Sequence, residues 1–96
     1  TSINAYDFIE RFCSTFTIDV DQIYIICKKS IENNIISQNT PPSIAAGCIY
    51  YFVKKKNLSI TKKQLSDICK ISEVTINKCY KKIEENYHLF DDEFKD

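Results

Sequence analysis

Among its 96 residues the chain has one glycine, no methionine, no tryptophan, one histidine and one arginine. Each scarcity removes a class of chemistry. A phosphate-cradling loop needs clustered glycines so that backbone N–H groups can close on the ligand, and Gly47 stands alone. The five cysteines, Cys13, Cys27, Cys48, Cys69 and Cys79, include no CxxC spacing, and His88 has no partner with which to complete a zinc site. Each cysteine falls in an apolar periodic segment, where a free thiol behaves as a small hydrophobe in a reducing compartment. No His is paired with a nucleophile. The chain therefore offers no catalytic residues and is expected not to be an enzyme, with no cofactor and no metal of its own. His88 itself receives no chemical role.

Long apolar runs are also missing. The longest, Ile44 to Val53, is ten residues, about half the length a membrane span requires. No signal peptide is visible, and a soluble intracellular domain without membrane contact is expected. The opening "TSINAYDF" lacks an initiator Met, so the chain is expected to be a piece of a longer protein. Its 44% hydrophobic content suffices for one core and not for two, and a monomer is expected.

The net charge is zero, yet it is segregated along the chain. Residues 1–48 carry three cations against five acids. Residues 49–83 carry nine lysines against only Asp67 and Glu73, a block of +7. Residues 84–96 return to −5. A segregated cationic block is the footprint of a polyanion-binding surface, although a solvated lysine-rich face is the plainer alternative.

Strand signals are nearly absent, and apolar residues recur at helical spacing throughout. Phe8, Ile9, Phe12, Cys13 and Phe16 form a first stripe. A second segment opens at "DVDQ", with Asp19 as cap and Gln22 at the third position, and carries Ile23, Ile26, Cys27, Ser30 and Ile31. The third begins at "TPPS", with Thr40 as cap and Pro41 in the first turn, and continues apolar on all sides. Such a helix is buried by its neighbours and lies at the centre. "TKKQ" opens a fourth helix whose stripe is Leu65, Ile68 and Cys69. Ser72 caps a fifth, with Ile76, Tyr80, Ile83 and Tyr87 inward. The expected fold is all-α: five helices in a cyclin-like domain over residues 1–90, the last two forming a helix-turn-helix, followed by an acidic tail at 91–96.

Four segments carry a resemblance: "DFIERFCSTF", "NTPPSIAAGCIYYF", "TKKQLSDICKISEVTINKCYKKI" and "HLFDDEFK". In this order and spacing they resemble the second cyclin-like repeat of the transcription initiation factor IIB family. The resemblance implies a promoter-binding module that acts with the TATA-binding protein and helps recruit RNA polymerase. It also implies a zinc ribbon and a first repeat upstream, outside this chain. A nuclear location follows, or a cytoplasmic viral replication site if a large DNA virus is the source. An excess of twelve lysines over one arginine, with abundant Ile and Asn, suits the codons of an A/T-rich genome.

On the fifth helix Val74, Asn77, Lys78 and Lys81 are spaced to share the face opposite the core stripe. As the second helix of a helix-turn-helix it would present Val74, Thr75 and Asn77 to double-stranded promoter DNA as base contacts. Lys62, Lys63, Lys78, Lys81 and Lys82 would contact phosphates. Many members of the family resembled carry Arg where this chain has Asn77; Asn prefers adenine, so a relaxed or A/T-shifted preference is expected. A solvated polar residue is the plainer reading of Asn77. Lys54, Lys55 and Lys56 suit the helix dipole at the end of the central helix, with a DNA-backbone role as the alternative. A cyclin-like docking module without DNA contact is the competing function.

Overall fold

The computed structural model describes residues 4–36 and 39–90, so the acidic tail at 91–96 and the first three residues lie outside it. Five α-helices and a closing 3-10 turn make up the described chain: α1 (Ala5–Phe16), α2 (Asp21–Glu32), α3 (Pro41–Lys55), α4 (Lys62–Cys69), α5 (Glu73–Glu85) and η1 (Tyr87–Leu89). No strand occurs among the described residues.

Local chemistry sets most boundaries. Asn4 opens α1 by accepting the N–H groups of Tyr6 and Asp7, and the Asp7 carboxylate returns a bond to the Asn4 N–H. Helix α2 begins at Asp21, two residues after the expected cap. Asp19 nonetheless takes the Asp21 N–H at 2.9 Å, and Val20 already has helical backbone angles. Thr40 precedes Pro41 as expected, but its hydroxyl pairs with the Ser43 hydroxyl at 2.9 Å rather than with a backbone N–H. The Thr61–Gln64 box forms in full: Gln64 N–H donates to Thr61 Oγ1 at 3.1 Å and Thr61 N–H to Gln64 Oε1 at 2.8 Å.

Helix α3 is the centre. Ser43 through Ile49 and Tyr51 through Val53 are buried, and all four other helices pack on it. Three stripe assignments fail. Ile31, Ile68 and Tyr87 are 41%, 37% and 53% exposed: Ile31 and Ile68 lie beside the fully buried Ser30 and the buried Cys69 at the edge of their stripes, and Tyr87 lies past the end of α5, in η1, where helical spacing no longer holds. In their place Ile36 and Phe90, in irregular segments, are fully buried. All five cysteines are buried and free of disulfides. Burial pushes the thiols of Cys13, Cys69 and Cys79 up to about 12, so they remain neutral core groups.

The largest interface joins α3 to α5. A Cβ on Gly47 would lie 2.7 Å from the Cys79 Cβ and closer still to its Sγ. One turn along, Tyr80 packs edge-on against Tyr50 with centroids 4.9 Å apart, and Tyr51 stacks obliquely on Phe90 at 5.4 Å. The small-residue segment Ala45–Gly47 thus lets α5 approach the α3 backbone.

Gly47→Ala tests this crossing. Alanine would gain about 1 kcal/mol of helix propensity, whereas overpacking costs about 1–3 kcal/mol. We expect net destabilisation, seen as a lower urea midpoint with unchanged slope; an unchanged or higher midpoint would contradict the close approach.

Candidate nucleic-acid interface

Helices α4 and α5 are joined by a two-residue link and a reversal at Lys70. Lys70 is left-handed (φ 60, ψ 35), and its N–H returns to the Ser66 carbonyl at 2.9 Å, closing α4. Ile71 is half-buried, and Ser72 starts α5 by accepting the Thr75 N–H at 3.2 Å. A short helix, a tight reversal and a longer helix result. The reversal uses lysine where glycine would be unstrained.

The outward face of α5 carries Val74, Lys78 and Lys81, with Glu85 at its far end, all exposed. Val74 is 64% exposed, the most among the large apolar side chains of the described residues, at the N-terminal end of the helix. Thr75 is half-buried, and its hydroxyl accepts from Ser72 Oγ at 2.9 Å. Asn77 is also half-buried: its Oδ1 accepts from Lys62 Nζ at 3.1 Å. Lys82 lies on the opposite flank, its Nζ 3.5 Å from Asn39 Oδ1. Lys63 is exposed beside Lys62 at the start of α4. The expected residues therefore divide into an open face (Val74, Lys78, Lys81, with Lys63 nearby) and four that already hold internal partners: Lys62, Thr75, Asn77 and Lys82.

Spacing gave no sign of one participant. Tyr50, on α3, lies beneath Lys62, whose Nζ is 5.7 Å from the ring centroid. Lys54 joins Lys62, Tyr50, Asn57 and Thr61 in lining a hollow of about 420 Å³ beside α4. Lys55 is differently committed, with its Nζ 5.4 Å from the Tyr51 centroid and 5.9 Å from that of Tyr87. Tyr80 donates to Glu84 at 2.7 Å; burial and then this carboxylate hold its phenol above the usual value. Among the described residues no group of three or more His, Cys, Asp or Glu side chains could hold a metal, and no helix is long and apolar enough to cross a membrane.

The family model described as the transcription factor TFIIB repeat matches residues 1–86. The chain belongs to this family. Its α3-centred cyclin-like bundle is the architecture of that repeat. A transcription initiation factor IIB-like protein of Acanthamoeba polyphaga mimivirus is 40% identical over 82 residues, covering 80% of this chain and 17% of that protein. Transcription initiation factor IIB of Dictyostelium discoideum is 32% identical over 83 residues, covering 83% of this chain and 26% of the relative. The Mus musculus factor is 31% identical over 98 residues, covering 97% and 31%. The chain thus spans less than a third of the length of these relatives. They are transcription initiation factors by name, not enzymes.

Within this TFIIB repeat the strained reversal gives a direct test. Lys70→Gly removes the left-handed penalty and should stabilise the domain by about 0.5–1 kcal/mol, seen as a higher urea midpoint. A lower midpoint would show that the lysine side chain holds the reversal in some other way.

Proposed function

We propose that this domain is the second cyclin-like repeat of a factor IIB-like protein and binds promoter DNA beside the TATA box through α4 and α5. It would do so with the TATA-binding protein and, in the full-length protein, help bring RNA polymerase to the start site. The observation that carries the reading is the open cationic face of α5, Val74 with Lys78 and Lys81, set on a helix-turn-helix in a chain of this family.

The chemistry follows from position. The first turns of the second helix approach base edges, where Val74 can meet a thymine methyl. Lys78 and Lys81, three residues apart along the same face, reach phosphates and position the protein without reading sequence. Lys63, and Lys54 across the hollow, extend the cationic surface toward the ends of α4 and α3. Lys82 is a weaker phosphate candidate because it leans toward Asn39. With so few phosphate contacts, binding by this domain alone is weak and strongly salt-dependent. Nuclear action follows from the reading, and the mimivirus relative supports the alternative of a cytoplasmic viral replication site. A zinc ribbon and a first repeat elsewhere in the full-length protein belong to the same proposal.

Fluorescence anisotropy with a labelled TATA-promoter duplex tests the proposal, with and without TATA-binding protein, across a salt series. Lys78→Ala with Lys81→Ala should weaken binding on every sequence and make the log–log salt slope shallower by about 2. Lys82→Ala should have the smaller effect. No salt-sensitive binding by the folded domain under either condition would favour the protein-docking alternative.

A further inference from the structure

Lys62 and Asn77 are fifteen residues apart, on different helices, and meet at 3.1 Å from Nζ to Oδ1. An ammonium has donors only, so the contact dictates the orientation of the amide: the carbonyl oxygen faces Lys62 and the NH2 group faces away. Lys62 is itself held in place. It is the first residue of α4, next to the Thr61–Gln64 capping box, half-buried, with its ammonium over the Tyr50 ring. Among the described residues Asn77 Nδ2 has no hydrogen-bond partner, and it is not a buried atom left without one. Asn77 sits one turn after Val74 and one turn before Lys81, on the flank of the open face.

We infer that the Lys62–Asn77 pair is a specificity-determining unit that turns Asn77 into a donor-only reader, so that it selects guanine rather than adenine. The inference rests on the reading of α4 and α5 as a DNA interface. An unconstrained Asn reads adenine with both ends of its amide, donating to N7 and accepting from the N6 amino group. Here the accepting end is turned toward α4, one of its two lone pairs on the Lys62 ammonium, so an adenine amino group approaching from the open face would meet the Asn77 NH2 donor to donor. Guanine presents O6 and N7, two acceptors side by side, and nothing for Asn77 to accept. The ammonium 3.1 Å behind the amide adds positive potential that favours the same edge. Cytosine, which offers an amino group, is disfavoured like adenine.

Selection from a duplex pool with a fixed TATA element and randomised flanks, in the presence of TATA-binding protein, tests this with the wild type, Lys62→Met, Asn77→Ala and the double variant. One flank position should favour guanine over adenine about tenfold in the wild type and lose that preference in Asn77→Ala. Methionine keeps an apolar stem over Tyr50 and releases Oδ1, so Lys62→Met should swing the same position toward adenine. In the Asn77→Ala background Lys62→Met should leave the base profile unchanged. Asn77→Asp, with acceptors only, should move the preference to cytosine, which keeps the test decisive if Lys62→Met is poorly folded. If Lys62 acted only on phosphates or on folding, its loss would lower affinity uniformly without moving the profile, and the inference would fall. Wild-type selection of adenine at the Asn77-dependent position would also overturn it. Failure of the DNA reading itself looks different: no duplex is enriched by any variant, and both conclusions are lost together.

Discussion

Gly47 has no side chain, and Cys79 of α5 occupies the space where one would be. The rest of the domain is arranged around that close approach. It seats α5 directly on the α3 backbone, and the Tyr50–Tyr80 and Tyr51–Phe90 contacts fix the helix beyond that point. With Ile76, Cys79 and Ile83 committed inward, Val74, Lys78 and Lys81 must face outward. The position of the outward face is thus set by a glycine in another helix.

Charge placement is the second constraint. A chain of zero net charge concentrates its lysines on the ends of α3 and α4 and on α5, while acids predominate elsewhere. Segregation of this kind can orient a domain on a polyanion without a large overall attraction. Several of these lysines also have internal duties. Lys55 lies between two tyrosine rings, Lys62 orients Asn77, and Lys82 leans toward Asn39. Counting cations in the sequence therefore overstates the charge free to meet phosphate.

The all-α fold, the central helix and the order of the five helices were legible because their signals are local. Thr61 with Gln64, Ser72 before α5, and Pro41 in the first turn of α3 each act within four residues. Periodicity also found the core stripes, but not their edges. A residue at the margin of a helical stripe is buried only if a neighbour covers it, which fails for Ile31 and Ile68, while Tyr87 lies past the end of α5, in η1, where the stripe no longer runs. The same limitation affects the candidate site. Spacing put Asn77 with Val74, Lys78 and Lys81, yet only the tertiary meeting of α4 with α5 reveals that Lys62 has claimed its carbonyl. Asn39 draws Lys82 aside in the same way, from a loop forty-three residues distant. Tyr50 read as one more residue of an apolar helix, and nothing within its own segment marks it as the floor beneath Lys62.

The most direct test of the account is positional. A photoreactive benzophenone amino acid in place of Val74, the most exposed large apolar side chain among the described residues and the first on the open face of α5, would report what lies against that face. The same probe in place of Ile25, exposed on α2, serves as the comparison. In a complex with TATA-binding protein and promoter duplex, the account predicts crosslinks from position 74 to bases flanking the TATA box and none to DNA from position 25. Crosslinks from position 74 to polypeptide alone would contradict it.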